Sequence, residues 1–125
     1  YDIDPNIVKF IGTGAWDDVI FFNEPSLQNA IFPGVEYSKR EHLINEYATF
    51  YGEDLMRIST LPYDLVGLLA FLINNKYKLK DFYKLVDNKS VIFDGVDGNF
   101  YFQGNLIERE LGILKIQKGE ALQIN

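Results

Sequence analysis

Apolar and polar positions along this chain change period several times, and each change marks an element. Ile7-Val8-Lys9-Phe10-Ile11 is a short apolar run closed by Gly12. It predicts a buried strand, entered through a turn at Asp2-Ile3-Asp4-Pro5-Asn6. After a loop at Gly12-Thr13-Gly14-Ala15, the run Trp16 to Phe22 predicts a short helix with Asp17 and Asp18 in its first turn, where acids favour the helix dipole. Pro25 and Ser26 break it. Ala30-Ile31-Phe32 predicts a second strand, ended by Pro33-Gly34.

The period then becomes helical. Ser38-Lys39-Arg40-Glu41 has the spacing of a capping box, with Glu41 reaching back to the cap amide. Leu43, Ile44, Tyr47, Ala48 and Tyr51 form the apolar stripe of the helix that follows, and Gly52 suits its left-handed end. Ser59 or Thr60 can cap the next helix, with Pro62 near its first turn. Leu65 to Ile73 is apolar on every face, which predicts a helix lying between two layers and ending at Asn74-Asn75. Leu79 to Val86 is a shorter amphipathic helix, and Val91-Ile92-Phe93 leads into a glycine-rich ending.

That ending runs from Gly95 to Gly119. Two apolar runs flank Gly104-Asn105, with strand alternation in Phe100 and Phe102 and again in Leu111 and Ile113, and with Leu114 and Ile116 continuing the second run. The pattern predicts a terminal antiparallel hairpin. Strands separated by helices in the first half predict an α/β fold with parallel strands and flanking helices. So few strands leave the all-apolar helix little sheet to pack on. The expectation is a chain that forms part of something larger, or half of an intertwined dimer.

Composition narrows the function. The 125 residues fit one domain, and the net charge of −6 disfavours nucleic acid or an anionic membrane surface as a partner. Zero cysteines excludes disulfides, thiolate metal sites and cysteine nucleophiles. The longest apolar run, Leu65 to Ile73, falls well short of the roughly 20 residues of a membrane span. No basic-then-apolar leader opens the chain, and the first residue is Tyr1.

Four segments together resemble a known family. Phe10-Ile11-Gly12-Thr13-Gly14-Ala15-Trp16-Asp17-Asp18 looks like a strand and loop of a type I periplasmic binding protein, and Pro25 to Gly34 resembles the strand after it. Phe50-Tyr51-Gly52-Glu53 followed by Leu61-Pro62-Tyr63-Asp64-Leu65-Val66-Gly67-Leu68-Leu69-Ala70 is similar to that family's FxxxYG and AYDAVxLLA segments. The Gly95-to-Gly119 run is similar to its GVDG-type ending. The order is right and the spacing natural, and the branch that resembles this chain most is that of the bacterial penicillin-binding protein activators, within the leucine/isoleucine/valine-receptor superfamily.

The resemblance implies two α/β lobes closing on a cleft, in the periplasm or cell envelope. It implies that residues 1–125 are a single partial domain, the C-terminal segment, with the N-terminal lobe absent or a second copy in its place. It implies a non-enzymatic receptor-type role, either regulating cell-wall synthesis or serving as the solute-binding component of an amino-acid ABC transporter. The implied partners are a small molecule, amino acid or peptidoglycan-related, or a peptidoglycan synthase, with no cofactor.

Candidate ligand-binding residues follow. Thr13, Gly14, Trp16 and Asp17 sit where α/β sheets place ligands, at a strand's C-terminal end. Thr13 and backbone amides can bind a carboxylate and Trp16 can stack on a ligand; equally, Trp16 can pack in a core and Asp17 can cap a helix. Amino-acid receptors of the superfamily often carry an acid in this loop, and here Thr13-Gly14 stands in its place. Tyr63, at the N-terminus of the apolar helix, either touches a ligand beside the helix amides or is a buried tyrosine with a satisfied hydroxyl.

Three other features read as structural. His42, the sole histidine, falls off its helix's apolar stripe and reads as solvated. Asp94, Asp97 and Asn99 lack the spacing of a calcium loop and read as turn residues. Asn99 to Gly104 resembles a tobacco-etch-type protease site but reads as a native strand, and Arg109 should pair with Glu108, Glu110 or the acidic turn. Paired carboxylates such as Asp17 and Asp94 are the enzymatic option, but no nucleophile elbow or metal triad accompanies them, so no catalytic residue is assigned.

Overall fold

The computed structural model describes residues 4, 7–88 and 90–124. The turn expected at Asp2 to Asn6 lies outside the described residues apart from Asp4. The chain mixes helices and strands as expected and divides into two compact units: Tyr1–Lys39 with Leu111–Asn125, and Arg40–Glu110.

The first unit is built on three strands in the order β1 (Ile31–Gly34), β4 (Gly112–Gln117) and β5 (Glu120–Gln123), all antiparallel. The parallel component is the bridge between Ile11 and Ile31. The strand expected over Ile7 to Ile11 contracts to that bridge, held where the Gly12 amide donates to the Ile31 carbonyl (2.8 Å) and the Ile31 amide donates to the Phe10 carbonyl (3.0 Å). Pro33 lies inside β1 rather than ending it. Backbone groups alternate sides along a strand, so the N–H that Pro33 lacks falls on the Ile11 side, away from the β4 ladder.

Leu114 and Ile116 are the inward residues of β4; with Phe22, Ala30 and Phe32 they form the core. Each such fully buried large side chain stabilises by about 1.5–3 kcal/mol. Leu111 and Ile113 are outward, because Phe32 pairs with Leu114 in this register. Lys118 and Gly119 both have positive φ, the signature of a two-residue type I′ turn. That turn creates β5, a strand the sequence pattern did not disclose. Helix α1 (Val19–Phe22) is shorter than expected: Trp16 falls in a 3-10 turn (Gly14–Trp16), and the Asp18 carboxylate caps α1 by accepting from the Ile20 amide at 2.9 Å.

The second unit holds α2 (Glu41–Tyr51), α3 (Thr60–Asn74), α4 (Leu79–Val86) and the hairpin β2 (Phe100–Gln103) with β3 (Leu106–Arg109). The capping box does not form. Ser38 lies in a 3-10 turn and its hydroxyl is within 3.4 Å of the Glu36 carboxylate, while Glu41 becomes the first helical residue. Gly52 ends α2 at φ 70°, its amide donating to the Ala48 carbonyl. The turn at Gly104-Asn105 joins β2 to β3, and Gly104 supplies its left-handed position at φ 62°. The terminal run therefore forms two hairpins in two different units, not one. Asn99 to Gly104 is strand for most of its length, with Phe100 buried.

Leu68 and Leu72 of α3 pack with Phe100 against Phe82, Leu85, Phe93 and Phe102. Burial on all sides does not occur: Val66 is 64% exposed and Ile73 is 74% exposed. The reason is geometric, since within this unit α4 and the hairpin core cover one stripe of a helix that is apolar all round. The 125-residue chain on its own is therefore expected to self-associate and to bind an apolar-surface dye. Analytical ultracentrifugation that finds a monomer, with no dye signal, contradicts this. Among the described residues no helix is long and apolar enough to cross a membrane.

Candidate functional site

The loop after the Ile11 bridge gathers four of the candidate residues. The Thr13 hydroxyl oxygen accepts from the Ala15 amide at 3.3 Å, and the Thr13 and Gly14 carbonyls accept from the amides of Trp16 (2.9 Å) and Asp17 (3.2 Å). These bonds wind Gly14–Trp16 into one 3-10 turn and leave Thr13 and Gly14 exposed. The Thr13 O–H remains able to donate, so Thr13 offers a neutral hydroxyl.

Trp16 takes the packed arrangement. It joins Phe10, Phe21 and Leu27 against the core of its unit, and a Cβ on Gly12 would meet its ring at 2.2 Å. Gly12 is thus required by close approach. Asp17 is buried and engaged, while its neighbour Asp18 caps the helix, a role the sequence had offered to Asp17. Because Trp16 is the sole tryptophan, its fluorescence reports on this loop. Gly12→Ala should displace the ring, red-shift its emission and destabilise the chain by about 1–3 kcal/mol, the usual range for overpacking. An unchanged spectrum and unchanged thermal midpoint contradict that packing.

Tyr63 belongs to the second unit. It is the fourth residue of α3 and 49% exposed, so it is not a fully buried core tyrosine. With Gly67, Phe71, Ile92, Phe93 and Asp94 it lines a groove of about 400 Å³. The lining is mostly apolar, and Tyr63, Asp64 and Asp94 are its polar residues.

Asp64 also lines that groove, and sequence reasoning missed it as a functional residue. Asp64 is buried, and its Oδ1 accepts from the Val96 amide (2.8 Å) while Oδ2 accepts from the Asp97 amide (3.3 Å) and from Arg109 Nη1 (2.8 Å). Arg109 Nη1 also donates to the Asp97 carbonyl at 3.1 Å, and its Cζ stands 4.9 Å from the centre of the Phe100 ring. The acidic turn was among the partners expected for Arg109; Asp64 was not. Arg57 Nη2 stands 2.7 Å from Asp97 Oδ1 in an ion pair that lacks hydrogen-bond alignment. The available signal was a single charge in the otherwise uncharged stretch from Ile58 to Asn75. Functionally this network is a fastener: two amides and one guanidinium hold the glycine-rich turn to α3.

The remaining titratable groups fit structural roles. Tyr101 donates to Glu108 Oε2 at 2.6 Å across the hairpin. That hydrogen bond raises the phenol above its ordinary value, with burial and the charges of Glu108 and Glu110 adding to it. A raised folded value means the contribution is present below about pH 10 and lost as pH rises through the folded one. His42 is exposed, with Nδ1 3.4 Å from Glu46 Oε2. Among the described residues no group of three or more His, Asp or Glu side chains could hold a metal ion.

Comparison with solved structures bears on the fold. The chain is similar to a protein from Rhodospirillum rubrum assigned as a branched-chain amino acid ABC transporter, at TM-score 0.71 and 17% identity, over 91% of this chain and 36% of that one. It is also similar to LpoA from Haemophilus influenzae, at TM-score 0.57 and 17% identity, over 96% of this chain and 22% of that one. The chain thus spans well under half the length of each. No protein-family model matches it, and no curated protein does. The likeness is one of fold, and it is the fold the sequence resemblance named: that of part of a type I periplasmic binding protein.

Proposed function

We propose that this chain belongs to a non-enzymatic receptor-type domain of the periplasm or cell envelope. The observation that carries the reading is the fold similarity at TM-score 0.71 across 91% of the chain. In this reading residues 1–125 are the C-terminal segment of a two-lobed receptor. Within the first unit Thr13 and Gly14 are the candidates to contact a ligand's carboxylate, with Trp16 and Asp17 shaping their loop; Tyr63 of α3 is a separate candidate in the second unit.

Two finer roles divide the possibilities. As a penicillin-binding protein activator, a reading supported by the likeness to LpoA, the protein would engage a peptidoglycan synthase. As an amino-acid transport component, supported by the Rhodospirillum rubrum structure, it would bind a free amino acid. The exposed Thr13-Gly14 pair, with no acid to meet a ligand's ammonium, favours the activator.

Thermal-shift titration of the full-length protein with single amino acids and with muropeptides tests this. A ligand at 100 times its Kd that binds only the native state stabilises by about 2.7 kcal/mol. A rise with one amino acid supports the transport role. A rise with muropeptides alone, or no rise together with co-purification of a peptidoglycan synthase, supports the activator. Neither ligand nor synthase binding overturns both.

A further inference from the structure

We draw no further inference here: the strongest candidate, the exposed apolar face of α3 formed by Val66, Leu69 and Ile73, carries nothing because nothing in the structure shows what covers it.

Discussion

Asp64→Ala is expected to destabilise the protein by about 3–5 kcal/mol, the range seen when one partner of a buried ion pair is removed. The carboxylate accepts from two backbone amides and from Arg109, so its loss strands all three donors in a buried setting. Differential scanning calorimetry should show a fall in Tm of about 10 °C or more. Two further changes should act through the same contact. A Cβ at Gly95 would stand 2.5 Å from Asp64 Oδ2, so Gly95→Ala must push the carboxylate away. Asp64→Ala and Arg109→Ala should also combine with less than additive cost, because each removes the same interaction. Additive effects, or a loss below about 1 kcal/mol for Asp64→Ala, would show that the fastener is not holding the turn.

Phe100→Ala should cost about 3–5 kcal/mol, as for other buried phenylalanines. Phe100 is 2% exposed, stacks on Phe93 with ring centres 5.3 Å apart and meets Phe102 edge-on at 6.4 Å. Its ring also lies beneath the Arg109 guanidinium, so truncation weakens the packing and the face on which that cation rests. Phe50→Ala is the control: Phe50 is 81% exposed, and a change there should stay within about 0.5 kcal/mol. Urea denaturation followed by circular dichroism measures both. Equal losses at the two positions would contradict the assignment of Phe100 to the core.

Much of the local structure was legible because its causes are local. The end of α2 at Gly52, the end of α3 at Asn74–Asn75 and the turn at Gly104 each follow from backbone freedom or from a break in the helical period. The capping box failed because Tyr37–Lys39 wind into a 3-10 turn and Arg40, not Ser38, takes the position before the first helical residue, Glu41. The β4 alternation was visible but its facing was not, since a one-residue change of phase swaps Leu114 and Ile116 for Leu111 and Ile113. Only the pairing of Phe32 with Leu114 sets that phase. The candidate site was legible in part. Thr13, Gly14, Trp16 and Asp17 were grouped by adjacency, but the packed pose of Trp16 depends on the Gly12 backbone and on core residues from three segments.

By itself the sequence determined the helices, the turn glycines, the mixed α/β character and, through four ordered segments, the fold resemblance. Those are properties of short windows and of their order. Tertiary structure alone decided that one apolar-looking ending serves two units, and that α3 buries a single stripe. It also decided that a lone aspartate in that helix fastens a turn more than thirty residues away. Partners so distant along the chain leave no periodic trace. They meet because a buried carboxylate must find donors, and the folded backbone brings the Val96 and Asp97 amides and Arg109 to it.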